Sequence, residues 1–347
     1  MTVDAPDRVD ARLVAKARRA LAFWQERAAE PTSNLLGTGA VAELERGAAE
    51  HLGCRFGLSL PSATLALRVA LGAAGAGSGQ PVLLAGYDWP AAAAAVKSLG
   101  AVAVAVDVEL PGCGMDAESL DGTLRRLAGP VVVTHLFGVP ARIDELADVC
   151  RSHGVPLIED CSQALGATVA SAPVGAFGDY AVCSFGPGKV LDTEDGGVVA
   201  TKSRAAFERC VRLSQHPLRQ KLEGIEEINL FTLALRLHPL AALVGVAELE
   251  DFENSLMARR AAMAELTRWL DRAGWHHAGR AGVEAVGPRL PAFARGEAAA
   301  DDAASTISFA APGQYVIGPF PAPGALPTPQ AERADHEVVL AHLVTTP

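Results

Sequence analysis

From about residue 55, short runs of apolar and β-branched residues alternate with longer stretches whose apolar positions recur every three or four residues. That alternation predicts strands joined by helical crossovers, and so an α/β fold with a mostly parallel sheet. Gly57-Leu58-Ser59-Leu60 reads as a strand, and Ser62 as the cap of a helix reaching Leu71. Pro81 to Leu84 is the next strand, and a helix opens at Trp89-Pro90, where proline suits the first turn. Ala101 to Val106 and Val131 to Thr134 follow as strands, then Ile143 to His153 as a helix. Val155 to Ile158 predicts a buried strand that delivers Glu159 and Asp160 to its C-terminal end. Tyr180 to Ser184 and Gly197 to Thr201 flank a turn that holds Lys189. Ligands of open parallel sheets gather at the carboxyl ends of the strands, where Asp160 and the Thr64 region fall.

Farther along, Leu249, Phe252, Leu256, Met263, Leu266 and Leu270 recur at helical spacing. One long amphipathic helix is therefore expected from about Leu240 to Leu270. It would bridge a large domain, residues 1–240 with a helical N-terminal segment, to a small, shortened α+β domain over 241–347. Gly296 to Ser305 is Ala/Asp-rich and Pro321 to Pro329 is Pro-rich, and both read as loops. No internal repeat is evident.

Composition narrows the classes. The 347 residues are half hydrophobic and one fifth charged, which suits a large buried core. A net charge of −10 argues against nucleic acid as the main partner and leaves no basic patch for anionic membranes. Six cysteines at 54, 113, 150, 161, 183 and 210 include no C-x-x-C pair. They read as free thiols in a reducing compartment, with no disulfide framework and no metal site expected. The N-terminus carries Asp4, Asp7, Arg8 and Asp10 without a hydrophobic signal core, and Trp89 to Val106 is interrupted by Lys97 and Gly100. A soluble cytoplasmic protein is the expectation.

Lysine is scarce. Only Lys16, Lys97, Lys189, Lys202 and Lys221 occur among 30 basic residues. Lys189 ends the turn Cys183-Ser184-Phe185-Gly186-Pro187-Gly188-Lys189, one strand–loop unit after Glu159-Asp160-Cys161-Ser162-Gln163. An acid closing an apolar run and a lysine in a small-residue turn are what a pyridoxal phosphate site requires. The carboxylate keeps the pyridine nitrogen protonated and the amine forms the Schiff base. Each residue has a plainer reading alone: a turn acid, a capping threonine, a loop amide, a buried tryptophan anchor, a surface lysine. Together and in order they outweigh it. The helix start at Ser62-Ala63-Thr64 offers N–H groups to a phosphate. Trp89 offers a stacking face, Asp160 a partner for a ring nitrogen, Gln163 a nearby amide, and Ser184 a hydroxyl.

These motifs resemble the DegT/StrS family of sugar and cyclitol aminotransferases, pyridoxal phosphate enzymes of the aspartate-aminotransferase-like fold, type I. The likeness runs from roughly residue 40 to 275. Ser62 to Leu67 fits S/N-G/A-T-x-A-L, and Glu159 to Gly166 is close to E-D-x-x-Q-A-x-G. Ser184 to Lys189 fits S-F-x-x-x-K, Gly196-Gly197 fits the following glycine pair, and Arg236 to Ala242 fits the lead into the long helix.

The resemblance implies that Lys189 is the Schiff-base lysine and proton carrier, and that Asp160 pairs with the pyridine nitrogen. It places Trp89 against the ring, Gln163 at the ring oxygen, and Ala63, Thr64 and Ser184 on the phosphate. It also implies a homodimer with active sites at the interface. The reaction would be a ping-pong transfer of an amino group from glutamate or glutamine to a keto-sugar nucleotide, cyclitol or related ketone in a biosynthetic pathway. Two departures stand out. Ala234 occupies a position commonly held by Asn, and Glu194-Asp195 precedes Gly196-Gly197 where Gly-Glu is usual. Another pyridoxal phosphate reaction, such as elimination, dehydration or carbon–carbon chemistry, stays open, as does a non-catalytic partner protein of the same fold.

Overall fold

The computed structural model describes residues 11–25, 31–287, 289–293, 307–310 and 339–343. The loops expected at Gly296 to Ser305 and Pro321 to Pro329 lie outside these residues. Helices α1 (Ala11–Gln25) and α2 (Ala40–His51) precede strand β1 (Phe56–Leu60). Then α3 (Ala63–Ala73), β2 (Pro81–Ala85), α4 (Pro90–Ser98), β3 (Val102–Val106), α5 (Ala117–Leu124), β4 (Val131–Thr134), α6 (Ile143–His153) and β5 (Leu157–Asp160) alternate. The hairpin β6 (Thr168–Val169) and β7 (Ala172–Pro173) leads to β8 (Tyr180–Ser184) and β9 (Gly197–Thr201). Helices α7 (Arg204–Ser214), α8 (Pro217–Leu222), α9 (Pro239–Leu249) and α10 (Phe252–Arg272) follow. Short strands close the chain: β10 (His276–His277), β11 (Val283–Glu284), β12 (Leu290–Phe293), β13 (Ile307–Ala310) and β14 (Val339–Leu343).

Seven strands form the central sheet in the order β1-β9-β8-β5-β4-β2-β3. β9 alone runs against the rest, since both β1 and β8 pair with it antiparallel. The fold is therefore α/β with a mostly parallel sheet. Four antiparallel strands, β10-β12-β14-β13, make a separate sheet. Side chains alternate across each central strand and fill two apolar layers. Leu84, Val132, Ile158 and Val182 pack on one side with Leu67 and Leu71 of α3, Val96 of α4 and Phe207 of α7. On the other side, Leu83, Val133 and Leu157 meet Leu120 of α5 and Leu146 of α6, while Cys183 and Val198 meet Leu44 of α2 and Val246 of α9.

Two expectations need correction. β5 begins at Leu157, two residues later than the sequence predicts, and ends on Asp160 itself. Pro156, just before it, has no N–H to give the ladder. The long helix is two helices, because Glu250 ends α9 and Asp251 precedes α10. Asp251 has φ −106° and ψ 9°, outside the helix, and its Oδ1 accepts from Asn254 Nδ2 at 2.7 Å. A short acidic side chain that bonds locally favours such a break over helix continuation. Leu249 then closes on Gly47 of α2, while Phe252 lies 4.1 Å from the ring of His51.

The sheet end is held from below by Glu159, which is fully buried. Its Oε1 accepts from the backbone N–H groups of Phe177 and Gly178 at 2.8 and 2.6 Å. Its Oε2 accepts from Gly175 N at 2.8 Å and lies 3.2 Å from His135 Nε2. His135 Nδ1 accepts from Ala141 N at 3.1 Å, which leaves the proton on Nε2 to donate to Glu159. Cys161 Sγ is near enough to join a three-residue donor group, but the oxygen and nitrogen atoms already have protein partners. Replacing Glu159 by Gln turns one acceptor into a donor facing N–H groups. Glu159→Gln should cost about 3 kcal/mol or more of unfolding free energy, read from denaturant midpoints. An unchanged midpoint contradicts this role.

Candidate active site

At the C-terminal edge of the sheet lies a cleft of about 370 Å³, lined by Trp89, Phe137, Gln163, Lys189, Arg259 and Arg289 among others. Lys189 stands on the connection between β8 and β9. Its N–H donates to Gly186 O at 3.2 Å, and Gly188 takes the left-handed φ of 79° that glycine accommodates freely. Asp192 fixes this turn. Its Oδ2 accepts from Gly188 N and its Oδ1 from Glu194 N, each at 2.9 Å. Lys16, reaching over from α1 and nearly buried, contacts Asp192 at 2.9 Å and Glu194 at 2.6 Å. Burial opposes the Asp192 charge, but the Lys16 hydrogen bond and the N–H groups of Gly188 and Glu194 outweigh it and hold the carboxyl below its ordinary range. The turn is thus anchored from behind. Lys189 Nζ itself makes no hydrogen bond or ion pair among the described residues.

Asp160 ends the central strand and is 4 % exposed. Its Oδ1 accepts from Ser162 N at 2.9 Å, while Oδ2 has no partner among the described residues. Asp160 and Lys189 act on a common atom. Burial pushes the Cys183 thiol up to about 12, Asp160 adds to that rise, and Lys189 opposes it. Across the ladder Asp160 pairs in register with Thr134 and Val182. Thr134 Oγ1 donates to Asp88 Oδ2 at 2.9 Å, and Trp89 N donates to Asp88 Oδ1 at 2.6 Å. Asp88 is fully buried; burial first, then the charge of Asp160, push its carboxyl up to about 8.

Gln163 has a settled orientation. Its Oε1 accepts from Phe137 N at 2.8 Å, which leaves the amide NH₂ as the group available to a ligand. An NH₂ suits an anionic ring oxygen. Phe137 is held at φ 58°, a left-handed conformation unusual for a bulky residue. Gly138 and Gly287 press backbone to backbone beside it, and a Cβ on Gly287 would fall 1.6 Å from Phe137 O.

Trp89, Gln163 and Lys189 therefore meet in one cleft, with Asp160 at the strand end beneath. Ala63, Thr64 and Ser184 do not line that cleft. Ala63 and Ser184 both adjoin Gly197 to one side, where β8 ends and β9 begins. Ser184 pairs with Gly197 in register, and a Cβ on Gly197 would fall 2.6 Å from Ala63 N. Ser62 caps α3 through Leu65 N, and Ser184 Oγ accepts from Gly186 N at 3.2 Å, so the start of α3 and the end of β8 lie on either side of Gly197.

Sequence reasoning missed several groups at this site. Ser162 Oγ is buried without a partner and lines the cleft, one residue from the flagged Gln163. Asp88 carried the same signal as Asp160, an acid just past a strand end. Arg259 and Arg289 had no local signal, because the fold brings them in from α10 and from beside β12. The orphaned Oδ2 of Asp160, the unpaired amine, the Gln163 NH₂ and the free Ser162 hydroxyl all fit a flat, anion-bearing ring with a cationic nitrogen.

Both departures from the motif fall on left-handed backbone. Glu194 has φ 69° and Ala234 has φ 48°. Glycine and asparagine, the usual residues, adopt that region more easily. At Glu194 the strain, about 1–2 kcal/mol, is offset by contacts to Lys16 and to Arg12, the latter at 3.2 Å.

A seven-stranded α/β sheet with one antiparallel strand, a lysine turn and a buried strand-end acid defines an aminotransferase-like architecture. The structure of a DegT DnrJ EryC1 StrS aminotransferase from Brucella abortus superposes with a TM-score of 0.76, covering 96% of this chain and 90% of that one at 22% identity. The profile of the DegT/DnrJ/EryC1/StrS aminotransferase family matches residues 27–281, and the chain belongs to that family. GDP-perosamine synthase of Vibrio cholerae is 28% identical over 220 residues, 63% of this chain and 59% of that protein. L-glutamine:scyllo-inosose aminotransferase of Streptomyces griseus is 31% identical over 223 residues, 61% of this chain and 53% of that protein. The chain thus spans between half and three fifths of the length of these curated relatives.

The anchored turn gives a pH prediction. A carboxyl held low in the fold contributes its full stability above the unfolded value near 3.9, and loses it as pH falls through the folded value. Asp192→Asn should therefore lower stability by about 1–2 kcal/mol at pH 7, with the gap to wild type closing below about pH 4. Thermal unfolding of both proteins from pH 3 to 8 checks this; a gap independent of pH contradicts it.

Proposed function

We propose that the protein is a pyridoxal-phosphate-dependent aminotransferase. It takes an amino group from an amino-acid donor, glutamate or glutamine, and passes it to a keto-sugar nucleotide, cyclitol or related ketone. The observation that carries this reading is a Lys189 amine without a partner among the described residues, in the same cleft as Trp89 and Gln163, with the buried Asp160 two residues before the cleft residue Ser162. Family membership and the named activities of the relatives support it.

Bound pyridoxal phosphate supplies an electron sink for charge that develops on the substrate carbon. The chain's residues do the rest. Lys189 Nζ holds the cofactor covalently, then moves a proton to and from the reacting carbon as general base and acid. Asp160 Oδ2 would keep the ring nitrogen protonated, Gln163 Nε2 would donate to the ring oxygen, and Trp89 would offer a face to the ring. Ala63, Thr64 and Ser184 hold the phosphate at the start of α3. Arg259, whose guanidinium lies 3.4 Å from Lys189 O, and the exposed Arg289 offer cations to a substrate carboxylate or phosphate. The placement of the two sheets supports a division near residue 240. A homodimer is part of the proposal, supported by exposed Leu230, Phe231, Leu233 and Leu240, of which Phe231 is 94 % exposed.

Lys189→Ala should abolish the visible absorption of bound pyridoxal phosphate and reduce turnover by several orders of magnitude, while circular dichroism stays unchanged. Turnover near the wild-type rate contradicts the assignment. Adding glutamate, glutamine or alanine to the wild-type protein should convert the cofactor to its amine form without acceptor. A protein that takes up the cofactor but accumulates no amine form is a lyase; one that takes up none is a non-catalytic relative.

A further inference from the structure

The transamination scheme leaves a buried acid beside the cleft without a task. Asp88 sits three residues past β2, immediately before the cleft residue Trp89, and is fully enclosed. Two donors reach it, Thr134 Oγ1 and Trp89 N. Thr134 is the register partner of Asp160, so Asp88 and Asp160 occupy neighbouring strand ends on the same side of the sheet. Neither hydrogen-bonds the other, and no cation contacts either among the described residues. Two unscreened carboxyls in such a place do not both ionise at small cost.

We propose that Asp88 is a positioning residue that makes a two-carboxyl floor with Asp160: it keeps a proton while no cation contacts Asp160 and releases it when a cationic ring nitrogen is held against Asp160. The inference rests on the function proposed above. Asp160 is the charged group acting on Asp88, with neutral Thr134 and the Trp89 N–H as its remaining partners. His135 and Glu159 pair with each other, and alternation along β4 and β5 turns them to the opposite face of the sheet. The cation Lys189 acts on Cys183, as Asp160 does.

The electrostatics give the sign. Burial first, and then the charge of Asp160, push the Asp88 carboxyl up to about 8, which favours its protonated form at pH 7. A pyridinium proton held against Asp160 would offset its charge and so remove the second of these causes, the repulsion, leaving burial as the remaining one. The Asp88 O–H bond then breaks, the carboxylate keeps the electron pair, and the proton leaves to the buffer. The pair thereby favours a ligand that brings positive charge to this point, and its binding tightens as pH rises from about 5 to 8. Asp88 also fixes the Trp89 backbone through its own carboxylate, so charge setting and stacking geometry share one side chain.

Apoprotein from wild type and from Asp88→Asn is titrated with pyridoxal phosphate by calorimetry at pH 7, in buffers of low and high ionisation enthalpy. Protons linked to Lys189 and the phosphate cancel in the comparison. Wild type should release up to about one more proton per site than Asp88→Asn. Infrared difference spectra of the wild type alone should show a buried protonated carboxyl band lost on cofactor addition, a readout that needs no variant. Equal proton release together with an unchanged carboxyl band overturns the inference while leaving the aminotransferase reading intact. A wild-type protein that binds no pyridoxal phosphate overturns both.

Discussion

Adjacent acids at the end of the central strand divide the labour of this molecule. Because side chains alternate along β5, Glu159 and Asp160 must face opposite layers. Glu159 turns toward the loops below and collects three backbone N–H groups and His135. Asp160 turns the other way and keeps one oxygen without a partner among the described residues. One carboxylate makes the strand end rigid, and its neighbour is presented by that rigidity to a ligand. A one-residue slip in register would exchange the two and lose both functions.

Everything else at the cleft works by holding groups whose own hydrogen-bonding capacity is deliberately incomplete. Asp192 and Lys16 fix the turn, and the amine of Lys189 has no partner among the described residues. Phe137 occupies the oxygen of Gln163 and leaves its NH₂. Unsatisfied buried polar groups cost stability in an empty protein, and a ligand that completes them recovers that cost on binding. The strained Phe137, the tight Gly138–Gly287 contact and the left-handed Glu194 sit around the same cleft, where strain persists because neighbours over-determine it.

Much of this was legible in the residues. Short continuous runs of apolar and β-branched residues located the central strands, since each is a buried segment bounded by glycine, proline or serine. The lysine turn and the Glu159-Asp160 pair were readable because their chemistry is rare in such positions. The break at Glu250-Asp251 was not, because the apolar spacing continues across it and only the local bonding of Asp251 marks the stop. Arg259 and Arg289 were invisible for another reason: nothing local distinguishes an arginine that faces a cleft from one that faces water. Ala234 and Glu194 could be seen as departures, but only the backbone showed that both stand where a left-handed conformation is required.

The central claim is that residue 189 carries the cofactor above residue 160. Incubating the purified protein with pyridoxal phosphate, reducing it with borohydride and mapping the modified peptide by mass spectrometry tests it most directly. The account predicts a phosphopyridoxyl group on Lys189 and a sharp loss of labelling when Asp160 is replaced by Ala. Labelling at Lys16, Lys97, Lys202 or Lys221 instead, or none at all, would contradict it.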